Sequence, residues 1–234
     1  MYPHRIRLLG PWECEPLAWH PALAPATAPV PPPLRMKIPC HWNEGGLPGF
    51  AGRVRFRRRF GYPGRLDAYE RVWLTFGAVA GSSEVLLNGT FLGKRAADQL
   101  RFEFEVTALL RERNELVVEV ESTTEWGGLC GEVALEVRCS AYLRGVRVWA
   151  EGNDLHSTGE VVGTADGLLE LYVLLNRSTV AYEPTNACPA GHPFHLVAPG
   201  TFGGRDAAAE QPPFVQVDLV NGASVWYTFQ RELS

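Results

Sequence analysis

The stretch Gly52-Arg53-Val54-Arg55-Phe56-Arg57-Arg58-Arg59-Phe60 decides the fold class, because apolar and charged side chains alternate along it. Successive side chains of a β-strand point to opposite faces of its sheet. Val54, Phe56 and Phe60 are therefore predicted on one face, with the odd-numbered arginines on the other. This period of two predicts a half-buried strand whose apolar face covers a core.

Similar alternation recurs at short intervals along the first half of the chain. The segments are 71–76, 84–87, 102–106, 116–121 and 133–138. Asn88-Gly89 is the dipeptide favoured in two-residue hairpin turns, and Thr107 is predicted to be the N-cap of a short turn. Many short strands separated by turn signals predict a sandwich of two mostly antiparallel sheets.

The arginines at 53, 55, 57 and 59 suggest a site for a polyanion or a set of ion pairs. Glutamates form stripes of opposite sign at 103, 105, 119 and 121. Pairing between charges on neighbouring strands is the simpler account, and we expect it here.

The strand pattern restarts after about Ser140, and the chain is therefore predicted to form two domains, 1–139 and 140–234. The later strand signals are Val146 and Val148, 168–175, 214–220 and 224–233. Residues 17–39 are rich in proline and alanine and include Pro31-Pro32-Pro33, which predicts an extended surface segment outside the sheet interior. Residues 199–213 are predicted to form a long loop.

Composition narrows the classes of function. The 234 residues are 46% hydrophobic and 21% charged, which is typical of a globular protein. The net charge of −4 argues against sequence-independent binding to nucleic acid. No apolar run approaches the roughly 20 residues of a membrane helix, and no signal peptide is recognised. Five cysteines without a CxxC pair predict free thiols and a cytoplasmic location.

Five short motifs follow one another in the first half of the chain. They are GRVRFRRRF at 52–60, VLLNGTFLG at 85–93, FEFEVT at 102–107, NELVVEV at 114–120 and GGLCGEV at 127–133. In this order they resemble the N-terminal sugar-binding domain of glycoside hydrolase family 2, the β-galactosidase and β-glucuronidase family. LRGVRV at 143–148 and WYTFQREL at 226–233 are similar to the first and last strands of that family's immunoglobulin-like domain. The resemblance implies an all-β fold, a galactose-binding-like jelly roll followed by a smaller immunoglobulin-like sandwich.

The resemblance does not extend to the family's catalytic barrel. That barrel uses two glutamates and needs about 250 residues, and no glutamate here matches either role. The resemblance therefore implies a non-catalytic module without a cofactor, whose partner is a carbohydrate or a separately encoded glycosidase barrel. Two alternatives stay open: a structural protein-interaction module with a decayed ligand rim, or one piece of a split glycosidase.

Two segments predicted at one rim of the first sandwich supply candidate carbohydrate-binding residues. In sugar-binding jelly rolls, aromatic faces stack on sugar rings, while carboxylates and amides bind the hydroxyls. The candidates are Trp42, Asn43, Glu44, Glu125 and Trp126. The tryptophans are predicted to stack and the other three to hydrogen-bond. The alternative is that both tryptophans pack over the ends of the sandwich.

A metal site is weighed and not predicted. Cys188, His192 and His195 lie close in sequence, but their irregular spacing lacks a fourth ligand and does not match zinc patterns. The intervening Pro189 and Pro193 predict an irregular loop. A structural calcium ion bound by loop carbonyls would leave too little trace in the sequence to argue for or against it.

Overall fold

The computed structural model describes residues 3–22, 29–202 and 212–233. These residues form β-strands joined by turns and loops, with one 3-10 turn at Thr107–Leu109, which confirms the predicted all-β fold class. The strands are β1 (His4–Arg7), β2 (Trp12–Trp19), β3 (Leu34–Met36), β4 (Gly52–Gly61), β5 (Glu70–Phe76), β6 (Ser82–Leu87), β7 (Thr90–Arg95), β8 (Phe102–Glu105), β9 (Arg113–Ser122), β10 (Val133–Cys139), β11 (Ala141–Glu151), β12 (Asp154–Gly163), β13 (Leu169–Leu175), β14 (Ser178–Thr185), β15 (His192–Ala198), β16 (Phe214–Asn221) and β17 (Ser224–Glu232). Within the described ranges we find no helix long and apolar enough to cross a membrane.

The chain divides into two compact units. The N-terminal unit comprises Arg5–Leu66 and Arg71–Glu136. The C-terminal unit comprises residues 3–4, Asp67–Glu70 and the described residues from Val137 onward. The domain boundary between residues 139 and 140 stays a prediction. Parts of the predicted surface segment (23–28) and of the predicted loop (203–211) lie outside the described residues.

The N-terminal unit contains a six-stranded sheet of order β3-β2-β4-β9-β6-β7 and most of a four-stranded sheet of order β1-β10-β5-β8. The alternation read from residues 52–60 places the core side of β4 correctly, since Val54 and Phe56 are fully buried. Their neighbours across the antiparallel ladder, Val120 and Val118 of β9, are buried with them. Phe60, near the end of the same strand, is only partly buried.

The outer face of β4 carries the predicted charge pairs. Arg53 and Arg55 each place a guanidinium nitrogen 2.7 Å from Glu119, whose side chain is only 15% exposed. Arg59 pairs with Glu115 at 3.2 Å. The hydrogen bond to Glu119 raises the pKa of Arg55. Cross-strand pairing is thus found for this stripe, through the predicted Glu119 and through Glu115 of the same strand, which was not predicted.

Asn88 ties the hairpin between β6 and β7 to the beginning of β9. Asn88 and Gly89 have left-handed backbones, with φ of 53° and 81°, as the Asn-Gly dipeptide predicts. The Asn88 Nδ2 group donates to the Leu109 carbonyl at 2.8 Å and to Asn114 Oδ1 at 2.9 Å. Its Oδ1 accepts from the Glu115 amide at 2.9 Å. One amide side chain therefore satisfies three partners from the segment that precedes and opens β9.

We expect Asn88→Ala to lower the free energy of unfolding by about 2 kcal/mol more than Asn176→Ala, because each lost hydrogen bond costs roughly 1 kcal/mol. Asn176 is the matched control. It also has a left-handed backbone (φ 48°) but makes one side-chain bond, from the Phe214 amide at 2.9 Å. Urea unfolding followed by circular dichroism measures both variants. Equal losses would contradict a tying role for Asn88.

The C-terminal unit contains two antiparallel sheets, β11-β12-β15 and β14-β13-β16-β17. Side chains of both sheets meet in one apolar core. Leu143 and Phe194 belong to the three-stranded sheet, and Leu171 and Val217 belong to the four-stranded sheet. This unit is therefore a second β-sandwich, as the restart of the strand pattern predicts.

The proline- and alanine-rich segment contributes more to the fold than its composition predicts. It contains the end of β2 and all of β3, which pairs with β2 at the edge of the six-stranded sheet. Met36 and Ile38 are buried. The prolines at 31–33 directly precede β3, so they remove no amide from the ladder itself. The prediction that this segment lies wholly outside the sheet was therefore wrong, since its first residues belong to β2, which lies between β3 and β4, and its later residues form β3 and cover the core.

Two local predictions were wrong. Thr107 is not the N-cap of the 3-10 turn, since Val106 occupies that position and Thr107 begins the turn. The Thr107 hydroxyl instead accepts a hydrogen bond from the Val72 amide at 2.8 Å. The predicted irregular loop around Pro193 is strand β15. Because β15 is an edge strand of its sheet, it tolerates a proline.

All five cysteines are free thiols, and Cys14 and Cys139 are buried. Burial raises the pKa of each to about 12, with a smaller contribution from Cys40 for Cys14 and from Glu70 for Cys139. A folded-state pKa above the unfolded value means that these thiols favour folding at low pH. Their contribution is lost as the pH rises above the ordinary thiol pKa of about 8.5.

We therefore expect Cys14 and Cys139 to resist alkylation at pH 8 in the folded protein and to react once urea is added, because thiolate is the reactive form. Peptide mapping by mass spectrometry after iodoacetamide treatment measures this. We also expect the urea midpoint to fall between pH 8 and pH 10.5. Labelling of Cys14 at the same rate with and without urea would disprove its burial.

Candidate functional site

The two predicted rim segments lie side by side in the N-terminal unit. The Trp42 amide donates to the Gly127 carbonyl at 2.9 Å. Gly128 exchanges a pair of backbone hydrogen bonds with Ala80, at 2.9 and 3.0 Å. Backbone contacts therefore hold the loop that contains Trp42, the loop that contains Trp126 and the residues before β6 in one arrangement.

Trp42 is fully buried beneath this rim. Its Nε1 donates to the Phe50 carbonyl at 2.7 Å, and its ring meets the Phe50 ring edge-on at 5.9 Å between centroids. The tip of the Trp42 ring also lies against Gly127, where an added Cβ would overlap it. Neither face of Trp42 is open to a ligand, so the sugar-stacking role predicted for it does not fit its burial. The packing role does.

Trp126 is the opposite case, with 48% of its surface exposed. The His41 ring meets the Trp126 ring edge-on, with 5.8 Å between centroids and an angle of 84°. His41 Nδ1 donates to the Trp126 carbonyl at 2.6 Å, because a carbonyl oxygen can only accept. The Trp126 amide donates a hydrogen bond to the Thr124 hydroxyl at 3.3 Å. The indole is thus presented to solvent from a loop whose backbone is held at several points.

An open cleft of about 490 Å³ lies beside Trp126. This volume is within the range of small-molecule sites. Besides Trp126, its polar lining consists of His20, His41, Ser82, Glu121, Ser122, Thr123 and Thr124. The cleft combines one exposed aromatic face with hydroxyls, imidazoles and a carboxylate, which is the chemistry needed to bind a polyhydroxylated ring. Among the described residues that line it there is no lysine or arginine.

The other candidate residues lie near the rim but do not line the cleft. Asn43 Oδ1 accepts from the Gly49 amide at 3.2 Å and so closes its own loop. Glu44 is exposed. Burial of Cys40 raises the pKa of its thiol, and the charge of Glu44 adds a smaller increase. Glu125 is partly buried. The sugar contacts of these three residues stay predictions.

The sequence reading missed His20, His41 and Glu121 as cleft residues. His41 is adjacent to Trp42 and lies in the rim segment already singled out, so its position carried a signal. Glu121 is the last outward-facing charge of a predicted strand, and it was assigned only to charge pairing. Nothing near His20 indicated that it would reach the same cleft.

The sequence did not predict a metal site at Cys188, His192 and His195, which belong to a different part of the chain from the rim. Within the described part of the chain, we find no group of three or more histidine, cysteine, aspartate or glutamate side chains arranged to hold a metal ion.

We expect Gly127→Ala to destabilise the fold by about 1–3 kcal/mol, because the new methyl group would overlap the Trp42 ring and the Ser122 Cβ. Gly61→Ala is the control, since Gly61 also lacks a strained backbone and its nearest neighbour to an added Cβ is 4.0 Å away. Thermal unfolding compares the two variants. If the Gly127→Ala protein is as stable as the Gly61→Ala protein, the rim can accommodate the methyl group, and the expected overlap with Trp42 does not destabilise the fold.

The fold matches solved structures of β-glucuronidases. The enzyme of Bifidobacterium dentium, complexed with coumarin-3-O-glucuronide, has a TM-score of 0.70 and 21% identity over 98% of this chain and 48% of its own. That of Faecalibacterium prausnitzii has a TM-score of 0.73 and 17% identity over 100% of this chain and 47% of its own. That of Ruminococcus gnavus has 0.70 and 14% identity over 99% and 44%.

The chain shares its fold with part of these enzymes. It spans slightly less than half the length of each one. No family model and no curated protein matches the sequence. At these identities the likeness concerns the fold, and the chemistry of the cleft must be argued from its own residues.

Proposed function

We propose that the N-terminal unit binds carbohydrate in the cleft beside Trp126, and that this chain does not itself hydrolyse the sugar. The observation that carries the proposal is the half-exposed Trp126 indole beside a cleft lined by hydroxyl, imidazole and carboxylate groups. An indole offers a large apolar face at little cost in conformational entropy. The C–H face of a sugar ring stacks on such a surface, while its hydroxyls bind the polar lining.

The charges of the lining favour a neutral hexose over a uronic acid. The cleft contains one carboxylate, Glu121, and two imidazoles, and its described lining has no guanidinium or ammonium group. A uronate carboxylate is bound best by arginine or lysine, and it would be repelled by Glu121. A galactoside, one of the substrates implied by the sequence resemblance, therefore fits the cleft better than a glucuronide, although the three similar enzymes named above are glucuronidases.

We expect methyl β-galactoside to bind the full chain saturably, and Trp126→Ala to weaken this binding by about tenfold or more, equivalent to 1.4 kcal/mol. Trp149→Ala is the matched control, because Trp149 is also exposed but lies on a sheet of the C-terminal unit. We expect it to leave the affinity unchanged. Isothermal titration and saturation-transfer NMR measure the binding, with methyl β-glucuronide as the weaker comparison ligand.

Three results would count against the proposal. Unchanged binding in Trp126→Ala would place the sugar elsewhere, and tighter binding of the glucuronide would reverse the argument from charge. A flat titration with folded protein would favour the structural protein-interaction module with a decayed rim. Circular dichroism and thermal unfolding of each variant separate loss of binding from loss of fold.

A second candidate function is that of an accessory module to a glycosidase catalytic domain, in the same polypeptide or a separate one. The observation that favours it is the coverage, since the whole chain matches less than half of each β-glucuronidase. Under this proposal the chain alone does not cleave a chromogenic β-galactoside or β-glucuronide. Turnover that co-purifies with the chain through successive columns would contradict it. We also propose a cytoplasmic location, which the five free thiols support.

A further inference from the structure

A cluster of three rings occupies the outer face of the three-stranded sheet in the C-terminal unit. Trp149 of β11 lies directly opposite His156 of β12, and the two rings stack with 5.2 Å between centroids and 13° between planes. His195 of β15 is opposite Thr158, one diagonal step from His156 on the same face. The two imidazole centroids are 5.4 Å apart. Register therefore brings together two histidines that lie 39 residues apart in sequence.

The distance between the two imidazoles matches the requirement of a shared metal ion. His156 Nδ1 lies 3.2 Å from His195 Nε2. Two nitrogens bound to one tetrahedral zinc at about 2.05 Å are roughly 3.3 Å apart. Without a metal, one of these nitrogens donates a hydrogen bond to the other. A metal ion between them would replace that proton at nearly the same separation of the two nitrogens.

The surroundings of His156 support its role as a ligand. The other ring nitrogen, Nε2, lies 3.8 Å from the Glu151 carboxylate. A carboxylate beside the non-ligating nitrogen favours the tautomer that carries the proton there, which leaves Nδ1 free to bind. Trp149 stacks on the imidazole and restricts its rotation. Arg147, opposite Thr158 on the same face, adds a positive charge that limits the affinity.

We propose that His156 Nδ1 and His195 Nε2 bind a divalent transition-metal ion of the Ni²⁺, Cu²⁺ or Zn²⁺ class. Imidazole nitrogen suits these ions, whereas Mg²⁺ and Ca²⁺ prefer oxygen ligands. His195 is exposed, so water or a ligand atom from another molecule completes the coordination. With two protein ligands, the site differs from the three-ligand groups that the described residues lack. It lies in the unit that does not contain the Trp126 cleft and does not depend on sugar binding.

Titration of the full chain with NiCl₂ at pH 7.5 tests the proposal. We expect one ion to bind, and His156→Gln and His195→Gln each to abolish measurable binding. His192→Gln is the matched control, because His192 is an exposed histidine at the start of the same strand. It should bind Ni²⁺ like the unaltered protein. Glu151→Gln should weaken binding by about tenfold, as expected for a residue that orients a ligand.

A second readout does not require an altered histidine. Cu²⁺ bound at this site should quench part of the tryptophan fluorescence, and Trp149→Phe should remove that part. Quenching should weaken as the pH falls, because protonated imidazole cannot bind a metal.

Several outcomes would overturn the site. Nickel binding that survives in both histidine variants would assign the ion to the thiols or to other histidines. Loss of binding in His192→Gln would move the site toward Cys188. Equal affinity for Mg²⁺ would remove the role of imidazole nitrogen.

Discussion

The candidate site depends on the contact between the Trp42 ring and the backbone of Gly127. Because Gly127 has no side chain, the tip of the indole can lie against the loop, and the ring is fully buried. The same contact positions the residue before the glycine, and Trp126 is left on the outside with its carbonyl held by His41. Trp42 thus packs beneath the rim and holds it in place, while Trp126 is exposed to solvent on the rim. A side chain at position 127 would disturb both.

The electrostatics of the outer face of β4 differ from those of the cleft beside Trp126. On the outer face of β4, guanidinium and carboxylate groups pair closely, and Glu119 contacts both Arg53 and Arg55. Such pairs leave little net field for a polyanion, and exposed pairs add little stability. The described lining of the cleft beside Trp126 instead has no strong cation and offers mainly neutral hydrogen-bonding groups. The charged side chains on the outer face of β4 thus pair with one another across strands, whereas the cleft suits a neutral ligand.

Much of the fold could be predicted from the sequence, because alternation reports which face of a strand is buried. It located β4 and β9, and Asn88-Gly89 located the turn of their neighbouring hairpin. Strand β15 was missed although Phe194, Leu196 and Ala198 alternate correctly, because Pro193 was taken as a loop signal and edge strands tolerate proline. The sequence could not predict that Trp42 is buried and Trp126 is exposed, since both tryptophans lie among polar and glycine residues. The His156–His195 pair depends on register between strands, which local sequence does not encode.

The three prolines before β3 have a consequence for behaviour at high concentration. β3 forms one border of the six-stranded sheet, and a border strand can recruit a strand from a neighbouring molecule. Prolines at 31–33 supply no amide hydrogen, so an incoming strand cannot continue its ladder beyond the first residue of β3. Three residues are too short a template for intermolecular pairing. The short β3 strand and the prolines before it therefore disfavour aggregation by strand pairing at that edge of the sheet.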